Sequence, residues 1–354
     1  MEKRIPVPTG LHTAPASLSG PVLGIETSCD ETACAILAAD GTILAERLLS
    51  QIAEHQAWQG VVPEIAARAH LSHLPRLAAE TFAEAAIAPA GLGAVAATVG
   101  PGLIGGLLVG SQFARGIALA ADRPFVAVNH LAAHALVPRL PGLAPVPPAF
   151  PYLLLLVSGG HTLLARVEAV DRFRLLGETI DDAAGECFDK CARALGLGWP
   201  GGPALERLAA TGDAGAVPVP RPMLGRPGCD FSFSGLKTAV AQLARRGAHA
   251  PADLAAATQQ AIAAVLADRA RHALAASPDC TMLVAAGGVA ANGAVRRALA
   301  KAAQAGGASL VAPPVRLCTD NAVMVAWAAI ERLQAGLAPD PLDTPENPRL
   351  ALAT

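Results

Sequence analysis

Aromatic side chains are scarce in this sequence: they make up 3% of 354 residues, with a single Tyr. Charge is sparse as well, at 16%, and nearly balanced, with a formal net of −2. Neither shortage favours a free-standing nucleic-acid binder, although a local basic face can sit on a neutral protein. Arg221, Arg226, Lys237, Arg245 and Arg246 form the densest basic region; ordinary solvated surface is the plainer reading. A disulfide framework is missing too. The seven cysteines are odd in number and scattered, which points to a reducing, cytoplasmic location. Cys187 and Cys191, one helical turn apart, have no second pair or nearby His and read as two half-buried helix residues. Unbroken apolar runs are also lacking, despite 53% hydrophobic residues and a mean hydropathy of +0.41. No charge occurs between Ala85 and Ala114, a stretch long enough to cross a bilayer. Pro89, Gly91, Gly93, Gly100, Pro101, Gly102, Gly105, Gly106 and Gly110 interrupt it. It reads better as a buried strand, a Gly-Pro-Gly turn and a close-packed helix, so no membrane association is expected. Residues 1–20 carry Lys3 and Arg4 but no apolar core, which suits a disordered leader rather than a secretory signal.

What is present has a repeated grammar. Val22 to Leu37 and Tyr152 to Val167 each run apolar strand, small polar turn, apolar strand. Both turns are built from residues that expose backbone N–H groups and hydroxyls toward an anion, which suggests two lobes closing on a phosphate. In the first half, strands also fit 43–51, 94–99 and 125–129, with helices at 63–86 and 103–121. Pro138 to Pro151 reads as a hinge or linker. The second half restarts with strands at 152–157 and 162–167 and a helix over about 180–195. A Gly/Pro-rich excursion follows. Helices are then expected at 236–246, 251–276, 292–305 and 322–334, with strands at 282–286 and 309–312. This order predicts an α/β fold with mixed sheets flanked by helices.

Several segments have the residue types for chemistry. In Asn129-His-Leu-Ala-Ala-His134, a helix opening at His130 puts His130 and His134 on one face, where they can grip one metal ion. A zinc peptidase would carry its general-base Glu where this chain has Leu131. Taken alone, the pair is more simply two helix-start histidines bonded to backbone. Ser158-Gly-Gly-His161 can approach an anion or be only a tight hairpin. The helix expected at 180–195 places Asp182, Glu186 and Asp189 along one face, with Glu186 and Lys190 spaced to pair in solvent. Asp181 and Asp182 also suit a helix N-terminus. Ala285 to Gly293 reads as strand, glycine turn and helix, suited to an adenosine, with Asn292 as hydrogen-bond partner or simply N-cap. Asp320 could likewise be only a cap.

Taken in order, these motifs closely resemble one family, the tRNA N6-adenosine threonylcarbamoyltransferases (TsaD) of the actin-like ATPase superfamily. The matching segments are GIETSCDET (24–32), GVVPE (60–64), GPGLIGGLLVG (100–110), HLAAH (130–134), VSGGHT (157–162), IDDAAGECFDK (180–190), PGGP (200–203), DFSFSGLKT (230–238), AGGVAAN (286–292) and CTDNA (318–322). The resemblance implies two actin-like lobes around a ligand cleft. One lobe would comprise residues 21–137 plus about 313–345. The other would span 152–312, with an insertion at 196–235. It implies transfer of a threonylcarbamoyl group from threonylcarbamoyl-AMP to N6 of the adenosine next to the anticodon, position 37, in tRNAs reading ANN codons. By the same resemblance His130, His134 and Asp320 hold one divalent metal, Fe(2+) or Zn(2+), and two imidazoles plus a carboxylate suit iron(II). Val157, Ser158, Gly159, Gly160, His161, Asp189, Gly202 and Asn292 would bind the remaining substrate, with Glu206 a looser match near the ribose. Asp30 and Glu31 are the candidates to take the amine proton. Implied partners are tRNA, an actin-fold paralogue (TsaB), a P-loop ATPase (TsaE) and a synthase (TsaC) that supplies the adenylate. A sugar-kinase-like or carbamoyltransferase enzyme of the same superfamily and a non-catalytic scaffold paralogue are the competing readings.

Overall fold

The computed structural model describes residues 18–352; the expected leader lies, up to residue 17, outside the described residues. The first half runs β1 (Val22–Glu26), β2 (Glu31–Leu37), β3 (Ile43–Ser50), α1 (Ile52–His55), α2 (Pro63–Ala85), β4 (Ala94–Gly100), α3 (Ile104–Ala121), β5 (Phe125–Asn129) and α4 (His130–Leu136). The second half opens with β6 (Tyr152–Val157), β7 (Thr162–Val167), β8 (Phe173–Glu178), α5 (Ala184–Ala194), α6 (Gly201–Ala209) and α7 (Ser234–Arg246). It continues through α8 (Pro251–Ala275), β9 (Met282–Ala286), α9 (Gly293–Ala305), β10 (Ser309–Val311), α10 (Val315–Cys318) and α11 (Ala322–Gln334).

The two sheets have the same strand order. The first is β3-β2-β1-β4-β5 and the second β8-β7-β6-β9-β10. In each, the first three strands are antiparallel and the last two join in parallel. Parallel joins require crossover helices, which α2, α3, α8 and α9 supply. The strands β1, β4 and β6 are buried along their whole length, as expected for strands covered on both faces. β8 went unread in the sequence because its burial follows no simple alternation and Arg174 and Glu178 are exposed.

Lobe I has a core on each side of its sheet: α2 and α3 cover one face, and α4 and α11 the other. α3 is the one helix among the described residues long and apolar enough to cross a membrane. Here Leu107, Ala114 and Ala118 are buried in the protein. Lobe II packs α5 to α9 on one face of its sheet, while the other face meets α4.

α4 is therefore a wedge. Its Ala133 and Leu136 join the lobe I core, and its Leu131 and Ala135 join the cluster on the lobe II sheet. Tyr152 on β6 adds a hydrogen bond from its hydroxyl to the Ala135 carbonyl at 2.7 Å. The third side of the helix carries the two histidines.

Three expectations need correction. The helix read over about 180–195 begins at Ala184, so Asp182 lies before it and does not share a helical face with Glu186 and Asp189. Cys187 and Cys191 are fully buried rather than half-buried, with sulfurs 3.9 Å apart. The Pro138–Pro151 connection is anchored: Leu140 is a core residue with Leu143 and Phe150 packed against the same core, and Arg139 binds Glu331 at 2.8 Å with its guanidinium over Phe150.

Candidate active site

Asn129 ends β5 and caps α4, its side-chain oxygen accepting from the N–H groups of Leu131 and Ala132 at 2.8 and 3.2 Å. That cap makes the helix open at His130, so His130 and His134 project together. The turn after α10 brings Asp320 against them. Its Oδ1 lies 3.4 Å from His130 Nε2 and 3.1 Å from His134 Nε2. One ligand atom from each residue fits within 4.8 Å of the others. Two imidazole nitrogens and a carboxylate converging this closely are a donor set for a divalent transition metal.

A further layer fixes the histidines. Glu26, fully buried at the end of β1, places Oε2 3.1 Å from His130 Nδ1, and Ser28 Oγ sits 3.2 Å from the same nitrogen. Glu26 is itself held by the Ser28 N–H and the Thr98 hydroxyl. Burial raises the Asp320 carboxyl, but His130 and the hydrogen bonds from both imidazoles outweigh it and hold it far below the usual range. Burial lowers His130, yet Asp320 and Glu26 pull it well above the ordinary imidazole value. His134, dominated by burial, falls below that value. A divalent cation there would bring its own charge against this carboxylate and the two imidazoles.

The cleft between the lobes is lined from both sides. Ser28, Cys29, Asp30, Glu31, the Gln59–Val61 loop and the Pro101–Leu103 turn come from lobe I, with His130 and Asp320 at its floor. Ser158, Gly159, Gly160, His161, Glu186, Asp189, Lys190, Arg193, Trp199 and Gly288 come from lobe II. Both polar turns thus face one cavity. His161 is pushed down to about 4, chiefly by burial and then by His130, and is neutral near pH 7. Glu31 is raised well above the carboxylate range by burial, by Asp320 and by Asp30.

Not every expected residue reaches that cavity. His134 lies behind His130 and is 1% exposed. Val157 is buried in β6, and its carbonyl crowds Gly287. There a φ of +90°, with the Val157 oxygen only 2.4 Å from where a Cβ would stand, admits glycine alone. Gly202 lies one step back: its N–H and that of Gly201 donate to Asp189 Oδ1 at 3.2 and 2.9 Å. Glu206 accepts from the Gly293 N–H at 2.8 Å. Asn292 caps α9 through the Val295 N–H and donates to Gln259. Gly202 thus stands on Asp189, while Glu206 and Asn292 meet at the N-terminus of α9.

Sequence reasoning missed Glu26 and Ser28, Gln59 to Val61 and Arg193. Glu26, Ser28, Gly60 and Val61 lie inside the family-like motifs, where the signal was available. Arg193, whose guanidinium donates to the Gln59 carbonyl across the cleft, lies outside them. Of the basic stretch, Lys237 pairs with Asp182 at 2.5 Å, while Arg221, Arg226, Arg245 and Arg246 are exposed.

Known proteins share both the sequence and the architecture. Residues 42–327 match the family model described as TsaD, tRNA N6-adenosine threonylcarbamoyltransferase. A protein of that name from Gluconobacter oxydans is 58% identical over 351 residues, covering 96% of each chain. One from Granulibacter bethesdensis is 57% identical, covering 94% of each. Among solved structures, Acidaminococcus fermentans (R)-2-hydroxyglutaryl-CoA dehydratase component A is similar at a TM-score of 0.53 and 18% identity, covering 89% of this chain and all of that one. T. kodakarensis HypF gives a TM-score of 0.59 at 14% identity, over 92% of this chain and 49% of its own. At those identities the likeness speaks for the actin-like fold alone.

Proposed function

From the premise that this chain belongs to the tRNA N6-adenosine threonylcarbamoyltransferase family, we propose that the cleft floored by His130 and Asp320 is where the threonylcarbamoyl group passes to N6 of a tRNA adenosine. The protein is a transferase, and tRNA is its acceptor. The observation that carries the placement is the meeting of both polar turns with His130 and Asp320 in a single cavity, His134 completing the donor set from behind.

The donor we assign is threonylcarbamoyl-AMP. It is a mixed anhydride and already activated, so the protein has mainly to orient it and stabilise charge on the departing phosphate. N6 attacks the carbamoyl carbon, a C–N bond forms, and the C–O bond to phosphate breaks with its electron pair leaving on AMP. Gly159 and Gly160 offer N–H groups and His161 a neutral imidazole to the adenylate, the Ser158 and His161 N–H groups being spent within the turn, and Asp189 with Gly202, Glu206 and Asn292 behind it shapes its nucleoside end. Asp30 takes the N6 proton. Glu31, whose carboxyl is raised by burial and then by Asp320 and Asp30, stands beside it in the same turn. His130, His134 and Asp320 would hold Fe(2+) or Zn(2+), which supplies Lewis-acid stabilisation of phosphate oxygens when bound.

The peptidase reading fails on Leu131, which is packed into the lobe II cluster and carries no base. We assign the reaction to the cytoplasm, where none of the seven cysteines needs to be paired. A TsaB-like paralogue and a TsaE-like ATPase would be its working partners, and a TsaC-type synthase the source of the adenylate.

The test is mass spectrometry of tRNA nucleosides after incubation with threonylcarbamoyl-AMP and those partners, alongside metal analysis of the protein. Wild type is expected to yield threonylcarbamoyladenosine. Asp30→Asn should bind tRNA and adenylate normally yet lose transfer by about 10²–10⁴-fold; wild-type turnover in that variant would remove Asp30 from the mechanism.

A further inference from the structure

Three consecutive carbonyls of the turn between β1 and β2 are held from outside it. The Ser28 carbonyl accepts from Leu103 N–H at 2.8 Å and the Asp30 carbonyl from Gln51 N–H at 2.9 Å. Between them, the Cys29 carbonyl faces His70 Nε2 at 3.1 Å. His70 lies on α2, is fully buried, and has no place in the chemistry above. Its other nitrogen, Nδ1, meets the Thr32 hydroxyl at 2.8 Å and Gln51 Nε2 at 3.1 Å. Gln51 Oε1 in turn meets His55 Nε2 at 3.3 Å, and His55 Nδ1 meets the Val62 N–H at 3.3 Å. Gln51, His55, His70 and Thr32 are all fully buried.

The two ends of this chain set its direction. A backbone N–H can only donate and a carbonyl can only accept. His55 therefore accepts at Nδ1 from Val62 and donates from Nε2 to Gln51. The Gln51 amide donates to His70 Nδ1, and His70 donates from Nε2 to Cys29. Every link runs the same way, and both rings are neutral with hydrogen on Nε2. Burial keeps the His70 imidazole below its ordinary value, which favours that neutral form.

The chain joins two walls of the cleft. At one end is the Gln59–Val62 loop, whose Gln59 carbonyl receives Arg193 from the opposite lobe. At the other is the turn bearing Asp30 and Glu31. We propose that His70 is a positioning residue for the transfer: the His55–Gln51–His70 chain ties the orientation of the Asp30 turn to the seating of the 59–62 loop against lobe II. This rests on the transferase reading given above and adds to it a residue that never touches substrate.

The test combines imidazole NMR with kinetics of the wild type and three variants. In the folded wild type, His55 and His70 should both carry hydrogen on Nε2. His70→Phe keeps a ring but can neither donate nor accept, and His55→Phe breaks the chain at its far end, remote from Asp30. Each should lower kcat about tenfold to a hundredfold, as expected for a displaced reacting group, with KM for the adenylate little changed. His70→Gln retains one donor and one acceptor and should recover most of the loss. A folded His55→Phe or His70→Phe protein with wild-type kcat, or hydrogen on Nδ1 of His70, overturns the proposal. Should the phenylalanine variants fail to fold, the His70 tautomer decides alone. A wild type that leaves tRNA unmodified would defeat the transferase reading while leaving the tautomers as assigned, so the two failures are distinguishable.

Discussion

At residue 130 the two ring nitrogens have separate roles. Nδ1 faces Glu26 and Ser28, which leaves Nε2 to meet Asp320. A carboxylate behind a ligating imidazole fixes the ring and strengthens it as a donor. Glu26→Gln is therefore expected to weaken metal binding by about 10–100-fold without removing a ligand, measured by metal titration of the folded apoprotein. Unchanged affinity would make Glu26 a folding residue only. The grouping of His130, His134 and Asp320 was legible only through the family resemblance, since the spacing alone fits helix-start histidines and Asp320 alone fits a cap. Glu26 was not, since a lone Glu ending an apolar strand gives no sign that a residue 104 positions away will turn toward it.

Among the elements, α7 shows how a cap can come from far away. Asp181 does not start its own helix, as its position suggested. Its carboxylate accepts from the Ser232 and Ser234 hydroxyls at 2.5 and 2.7 Å and from the Phe233 N–H at 2.8 Å. Asp181→Ala should cost about 0.5–2 kcal/mol, the range for losing an N-terminal cap. Burial raises this carboxyl somewhat, but the hydrogen bonds from Ser232, Phe233 and Ser234 prevail and hold it below its ordinary value. Its contribution is then complete above about pH 4, the unfolded carboxyl's value, and is lost as pH falls through the lower folded value. Denaturant titrations should show the wild-type advantage at pH 7 and its shrinkage at acid pH; a gap independent of pH would contradict the charge-assisted cap. Long buried strands and amphipathic helices were readable from sequence to within a few residues. β8 and the start of α5 were not, because their ends are set by tertiary partners, Asp230 and Phe231 pairing beside β8 and Thr162 Oγ1 accepting from the Ala184 N–H.

For the molecule as a whole, the last described segment acts as a strap. Asp340 pairs with Phe125 at the edge of the lobe I sheet. Glu346 then binds Ser111 and Arg115 on α3, and Asn347 N–H donates to Val99 O at 2.8 Å. Ala351 accepts from Asn129, the cap of the histidine helix, and Leu352 reaches the cluster on the lobe II sheet. Removing residues 345–354 should lower unfolding free energy by roughly 3 kcal/mol, mostly through the stranded Arg115 and the uncovered apolar contacts. Chemical denaturation of the shortened chain checks this, and stability equal to wild type would show the strap to be idle. The two-lobed plan could be read from the repeated strand-turn-strand grammar. The strap could not, because residues 340–352 have neither apolar periodicity nor a motif and acquire meaning only from what they cross.

Asp320, the third donor of the proposed metal site, follows almost the entire second lobe, and α11 begins two residues after it. During synthesis, His130 and His134 leave the ribosome first. A nascent chain stalled anywhere in lobe II holds two imidazoles with nothing to complete the chelate. An ion held there as proposed would be captured only at the final stage of biogenesis, and a prematurely terminated product would lack the complete donor set.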